Sequence, residues 1–178
     1  STILVTGSSS GFGFLLTQQL LAQGYTVFAT MRHLEGVNAE SGAQLRRLAQ
    51  NQQGVLHLLP LDVTNEASVT AAITQVLQVA GKLDVVINNA GIGGGGYTEA
   101  FSVGQFEQIF DVNVFGIQRV MRAVLPSMRA QHSGLIVNIS SLQGRIVIPF
   151  AGAYTDSKFA VEGLSESYRY ELAPQGVD

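Results

Sequence analysis

The sequence predicts an α/β domain: a doubly wound parallel sheet with helices on both faces. Three observations carry this. Five short runs of aliphatic and β-branched residues, at 2–6, 25–30, 55–59, 84–88 and 135–140, are separated by helical patterns. The first run passes at once into a glycine-rich turn and then a helical stretch. The 178 residues suit a single domain, 1–178, large enough to bury a core. Sheets of this type commonly hold about six strands, and another should begin at Gly176-Val177-Asp178. The expectation is therefore a domain that stops before its C-terminal strands and substrate-covering helices.

The first strand, Thr2 to Thr6, leads into Gly7-Ser8-Ser9-Ser10-Gly11-Phe12-Gly13 and a helix from Phe14 to Gln23. Strand, glycine turn and helix is the setting of a dinucleotide-binding loop, where glycines admit a pyrophosphate and the helix N-terminus offers free N–H groups. An ordinary strand-to-helix turn is the plainer alternative. The second strand, Tyr25 to Thr30, ends in Thr30-Met31-Arg32. An acidic side chain near this point suits the ribose hydroxyls of NAD, whereas an arginine suits a 2′-phosphate. Arg32 thus favours NADP(H), with NAD(H) possible.

Residues 41–53 read as an amphipathic helix with Leu45, Leu48 and Ala49 inward, and Val55 to Leu59 as the third strand. Asp62 and Val63 follow at its carboxyl end. Asp62 either accepts from an adenine amino group or helps start the helix from Thr64 to Ala80. The fourth strand, Asp84 to Asn88, runs into Asn89-Ala90-Gly91, small enough for a ring to lie against the backbone. Gly93 to Gly96 reads as a mobile loop near a substrate, or as an inert linker.

Ser102 and Gln105 have capping-box spacing and open a long helix to about Gln131, apolar over more than one stripe. Such a helix is buried on two sides, one facing the sheet and the other a second subunit or further chain. Asn113, polar within this run, is either a core amide satisfied by backbone or a relay group beside an active site.

After the fifth strand, Leu135 to Ser140, comes Ser141, and thirteen residues later Tyr154, four before Lys158. On a helix from Gly152 to Ala173 that spacing stacks the phenol and the ammonium on one face. A free phenol has a pKa of about 10 and shuttles protons poorly until a nearby cation stabilises its anion. The pair then becomes a general acid/base, with Ser141 adding a hydrogen bond for a carbonyl oxygen. Mere surface packing of an i,i+4 pair is the alternative.

Composition narrows the partners. Charged residues make up 13% against about a quarter in typical domains, while 46% are hydrophobic, so much of the surface is either polar and uncharged or itself buried. Burial beyond the chain's own fold points to an oligomer, a homodimer or homotetramer. A net charge of −3, with Arg46-Arg47 the only adjacent basic pair, argues against nucleic acid or an anionic membrane. The absence of cysteine excludes disulfide and thiolate chemistry. With no signal peptide and no apolar run near eighteen residues, the expectation is a cytoplasmic protein without a membrane span.

Gly7 to Gly13, Asn88 to Gly91, Ser141, and Tyr154 with Lys158, in this order, resemble the short-chain dehydrogenase/reductase family in its shorter branch. The resemblance covers essentially the whole chain. It implies a Rossmann-type fold and transfer of a hydride between NADP(H) or NAD(H) and a secondary alcohol, ketone or aldehyde. It implies that Tyr154 is the general acid/base, that Lys158 lowers its pKa and holds the nicotinamide ribose, and that Ser141 orients the carbonyl. Asn113 would join a proton relay through water. Gly7, Ser9, Ser10, Gly11, Phe12 and Gly13 would bind the cofactor, Asp62 and Val63 would contact adenine, and Asn89, Ala90 and Gly91 would line the cleft. Ala29-Thr30-Met31-Arg32 is loosely similar to NADP(H)-preferring members acting on steroids and retinoids, and Tyr97, Ile148 and Phe150 hint at an apolar substrate. A regulatory or sensor protein that binds the cofactor without turnover is the rival.

Overall fold

A computed structural model describes residues 1–178. In chain order it contains β1 (Thr2–Val5), α1 (Gly11–Ala22), β2 (Thr26–Met31), α2 (Ala39–Ala49), β3 (Val55–Pro60), α3 (Glu66–Ala80) and β4 (Val85–Asn88). It continues with α4 (Val103–Phe110), α5 (Gly116–Gln131), β5 (Leu135–Asn138) and α6 (Gly152–Leu172). The strands form one parallel sheet in the order β3-β2-β1-β4-β5. Strand order reverses at β1, so the chain leaves β1 and β4 toward opposite sides and a crevice opens at their carboxyl ends.

Alternation along the strands explains why both faces are covered. Leu4, Phe28 and Val86 point to one side and join residues of α3, α5 and α6 in the larger core. Ile3, Val5, Val27, Ala29, Met31 and Ile87 point to the other and meet Leu21 of α1 and Leu45 of α2. The broad apolar surface of α5 is covered largely within the chain: Val120, Met121, Val124 and Met128 share a core with Val69, Ile73 and Val76 of α3 and Val161 and Leu172 of α6. That pattern does not by itself call for a second subunit. No helix is long and apolar enough to cross a membrane.

Local chemistry sets the boundaries. Asn65 caps α3 by accepting from the Ser68 N–H at 2.9 Å, and Gly81, at φ 72°, closes it. Ser102 and Gln105 form the capping box of α4. Two elements differ from the sequence reading. Helix α1 starts at Gly11 rather than Phe14, because its first turn packs against the preceding loop and closeness of approach outweighs glycine's poor helix propensity. The expected single helix over 102–131 is divided by a π turn, Asp111–Phe115, which holds the extra residue. There Gly116 lies so near Val63 that a Cβ would come within 2.9 Å of Val63 Cγ2. Arg119 braces the turn, donating to the Asp111 and Val63 carbonyls at 3.2 and 3.1 Å and pairing with the Asp111 carboxylate at 2.6 Å.

The loop at Gly93 to Gly96 is anchored: the Gly96 N–H donates to the Phe150 carbonyl at 2.8 Å. At the end of the chain, where the sequence predicts a sixth strand, there is an isolated bridge and no full strand. Gly134 and Val177 form a parallel bridge beside β5, with Asp178 N–H donating to Gly134 O at 3.0 Å.

Candidate active site

The crevice is built by locking the loop after β1 to the loop after β4. The Thr6 hydroxyl accepts from the N–H groups of Asn89 and Ala90, both at 3.0 Å, and the Asn89 amide donates back to the Thr6 and Gly7 carbonyls at 2.9 and 3.0 Å. So close an approach dictates the glycines. Gly7 adopts φ 70°, and a Cβ there would reach within 2.8 Å of Ala90 Cα. A Cβ on Gly13 would penetrate the Gly7 carbonyl and the Asn89 amide. Gly11 is different: it has φ 55°, and a Cβ there would meet nothing within 4 Å. Its space opens into the crevice, where Ser10 leads into α1 with no side-chain capping bond.

The resulting cavity of about 450 Å³ is lined by Gly7, Ser9, Ser10, Gly11 and Phe12 on one side and by Asn89, Ala90 and Gly91 on the other. Arg32 closes one end with His33, Asn38, Asp62 and Val63. The Asn38 amide holds the Arg32 carbonyl at 2.6 Å, fixing a turn in which His33 has φ 47°. Asp62 accepts from the Thr64 N–H and hydroxyl at 2.9 and 2.7 Å. Burial alone would raise its pKa, but those bonds and the charges of Arg32 and His33 outweigh it and hold the carboxyl below its ordinary range. Of the residues predicted for cofactor binding, Gly13 lies behind this wall rather than in it, and Tyr154 and Lys158 are not among the lining residues either. His33, Asn38, Ile92 and Val112 line it without having been anticipated.

Beyond Gly91 and Ile92 the same segment reaches the second half of the site. Gly93 lies against Tyr154, whose Cδ2 would be 3.8 Å from a Cβ there. Tyr154 and Lys158 share a face of α6, the Lys158 Nζ lying 5.5 Å from the centre of the Tyr154 ring. Lys158 is 6% exposed, and its Nζ donates to the Ile139 carbonyl just beyond β5 at 2.8 Å. Burial pushes its ammonium below the ordinary lysine pKa.

Ser141 starts a short turn, Leu142–Gly144, and its Oγ accepts from the Gln143 N–H at 3.1 Å, leaving the hydroxyl proton free to be donated. Ser140 Oγ, by contrast, is buried without a partner. Asn113, 1% exposed, accepts from Ile92 N–H at 2.8 Å and donates to Ile92 O at 2.9 Å and Ser157 Oγ at 3.0 Å. Ser157 in turn donates to the Tyr154 carbonyl at 2.7 Å. The Asn113 side chain thus ties the cavity wall to α6. Ser157, which completes the tie to α6, is not marked by the sequence, because nothing local points to its partner Asn113.

The sequence pattern of the family described as short chain dehydrogenase matches residues 1–178. The chain belongs to that family. It is 40% identical over 172 residues to a 3-ketodihydrosphingosine reductase of Bacteroides thetaiotaomicron, covering 97% of this chain and 58% of the relative. It is 38% identical over 174 residues to retinol dehydrogenase 8 of Bos taurus, covering 96% and 54%. The fold matches an alcohol dehydrogenase of the archaeon Thermococcus sibiricus, solved with 5-hydroxy-NADP, with a TM-score of 0.89 and 28% identity over 98% of this chain and 72% of that one. This short-chain dehydrogenase chain spans rather more than half the length of those two curated relatives.

Proposed function

We propose that the protein is an NADP(H)-dependent oxidoreductase that interconverts an apolar secondary alcohol and a ketone, or acts on an aldehyde. The observation that carries this reading is that the segment lining the glycine-rich cavity at Gly91 and Ile92 runs on to Gly93, which lies against the Tyr154 ring on the face of α6 shared with Lys158.

The residues fit a dinucleotide. Gly11 leaves a cradle open at the N-terminus of α1, where the free N–H groups and the helix dipole favour a pyrophosphate. Arg32 and His33 stand at the far end for a 2′-phosphate, and Asp62 and Val63 beside them for adenine. When bound, the nicotinamide supplies or accepts the hydride at its C4. The chain's own groups do the rest. Tyr154 passes the proton to or from the substrate oxygen, and Ser141 donates its free hydroxyl proton as a hydrogen bond to the same oxygen. Lys158, whose Nζ lies 5.5 Å from the centre of the Tyr154 ring, would favour the phenolate by its positive charge and would hold the nicotinamide ribose. Asn113 keeps Ile92 and Tyr154 in register and joins the proton path through water.

Two relatives named for a sphingoid and a retinoid substrate support an apolar molecule, as do the exposed apolar side chains of Tyr97, Ile148 and Phe150. Tyr97 meets Phe150 edge to face at 5.0 Å. A cytoplasmic location belongs to the same reading. The test is a panel of ketones and aldehydes assayed with the full-length protein by NADPH absorbance. Saturable NADPH binding with no oxidation across the panel would convert the reading to a cofactor sensor. In the same material Arg32→Ala is expected to weaken NADPH binding by about tenfold, the loss of one charged contact, while NADH is nearly unaffected. An unchanged NADPH/NADH ratio would remove Arg32 from the phosphate site.

A further inference from the structure

The two donors assigned to the substrate oxygen come from different elements. Ser141 sits in the turn after β5, and Tyr154 lies in the first turn of α6. Between them residues 145–151 have no regular structure, so the backbone path does not fix their separation. Something must do so across the gap, because donors that share one oxygen act only when held to within a fraction of an ångström.

Gln143 spans it. Its backbone N–H donates to Ser141 Oγ at 3.1 Å, and its side-chain oxygen accepts from the Thr155 hydroxyl at 2.7 Å. Thr155 is 2% exposed and follows Tyr154 directly. The turn lies flush on the helix: a Cβ at Gly144 would be 2.9 Å from Glu162 Cγ. An ion pair at 2.8 Å between Arg145 and Glu162 makes a second tie, but the arginine side chain is 69% exposed and solvent weakens the pair. We infer that Gln143 is a positioning residue that sets the distance between the Ser141 hydroxyl and the Tyr154 phenol. This rests on the roles given to those two groups above.

Gln143→Leu and Thr155→Val each remove one half of the bond at similar volume, and Thr155→Ser keeps the donor. In the full-length protein the first two are expected to lower kcat by about 10- to 100-fold, the scale of a misplacement near one ångström. The Kd for NADPH should stay near wild type, Thr155→Ser should restore kcat, and the double variant should be no slower than the slower single one. Wild-type kcat in either single variant, Thr155→Ser as slow as Thr155→Val, or losses that multiply in the double would each overturn the inference. Should Gln143→Leu fail to fold, the comparison of Thr155→Val with Thr155→Ser decides alone. Tyr154→Phe is assayed in parallel. If it is inactive while Gln143→Leu is normal, only this inference falls; if it turns over normally, the assigned reaction falls with it.

Discussion

Replacing Tyr154 by phenylalanine is expected to lower kcat by about 10²- to 10⁴-fold, the span of a lost general acid/base, while NADPH affinity stays within about twofold. The separation of the two effects follows from the geometry. The ring is what packs against Gly93, and phenylalanine keeps the ring. The main-chain carbonyl that accepts from Ser157 is also untouched, so the Asn113 ties persist. Lys158 keeps its bond to the Ile139 carbonyl and does not depend on the phenol for its place. Only the proton carrier is lost. Stopped-flow reduction of a carbonyl substrate, beside a fluorescence titration of NADPH, measures the two quantities independently. Full turnover in Tyr154→Phe would remove the tyrosine from the chemistry.

What the sequence disclosed and what it hid differ by the range of the interaction. Gly7 to Gly13 was legible because a strand, a glycine turn and a helix are contiguous, and the steric demand on them is local. The Ser102–Gln105 capping box was legible for the same reason: its two bonds close within three residues. The i,i+4 placement of Tyr154 and Lys158 needed only a helix. By contrast, the π turn at Asp111–Phe115 leads into Gly116 packed on Val63, more than fifty residues earlier, and is braced through Arg119 to the Val63 carbonyl, and no local pattern announces either contact. The same holds for the reason Asn113 is there. Its amide bonds Ile92 and Ser157, 21 and 44 residues away, which accounts for a polar side chain buried within the apolar run. Gln143 reads as an ordinary loop polar residue until Thr155 is seen above it. The apolar stripes of α5 announce burial, but not that α3 and α6 cover much of them, because those partners are distant in sequence.

Gly13→Ala should be the most damaging single methyl in the chain, and the three glycines of the loop separate the reasons. At Gly13 the backbone conformation suits any residue, so no torsional penalty arises; the obstacle is the Gly7 carbonyl and the Asn89 amide on which a Cβ would intrude. Both are backbone or pinned to backbone, since Asn89 bridges the Thr6 and Gly7 carbonyls. Helix α1 must therefore back away, opening the bond from the Asn89 amide to Gly7 and the wall of the cavity together. Overpacking of this kind costs about 1–3 kcal/mol or more, and the loss of the cradle should weaken NADPH binding by at least about 100-fold. Gly11→Ala should instead leave packing intact, because its Cβ would enter open space; it costs about 1–2 kcal/mol for φ 55° and obstructs only the ligand. Gly163→Ala, in the exposed middle of α6 with nothing within 4 Å, should stabilise by about 0.5–1 kcal/mol. Urea unfolding and NADPH titration of the three variants test the order. Near-native NADPH affinity in Gly13→Ala would mean that the loop yields where the geometry says it cannot, and would undo the assignment of this crevice to the cofactor.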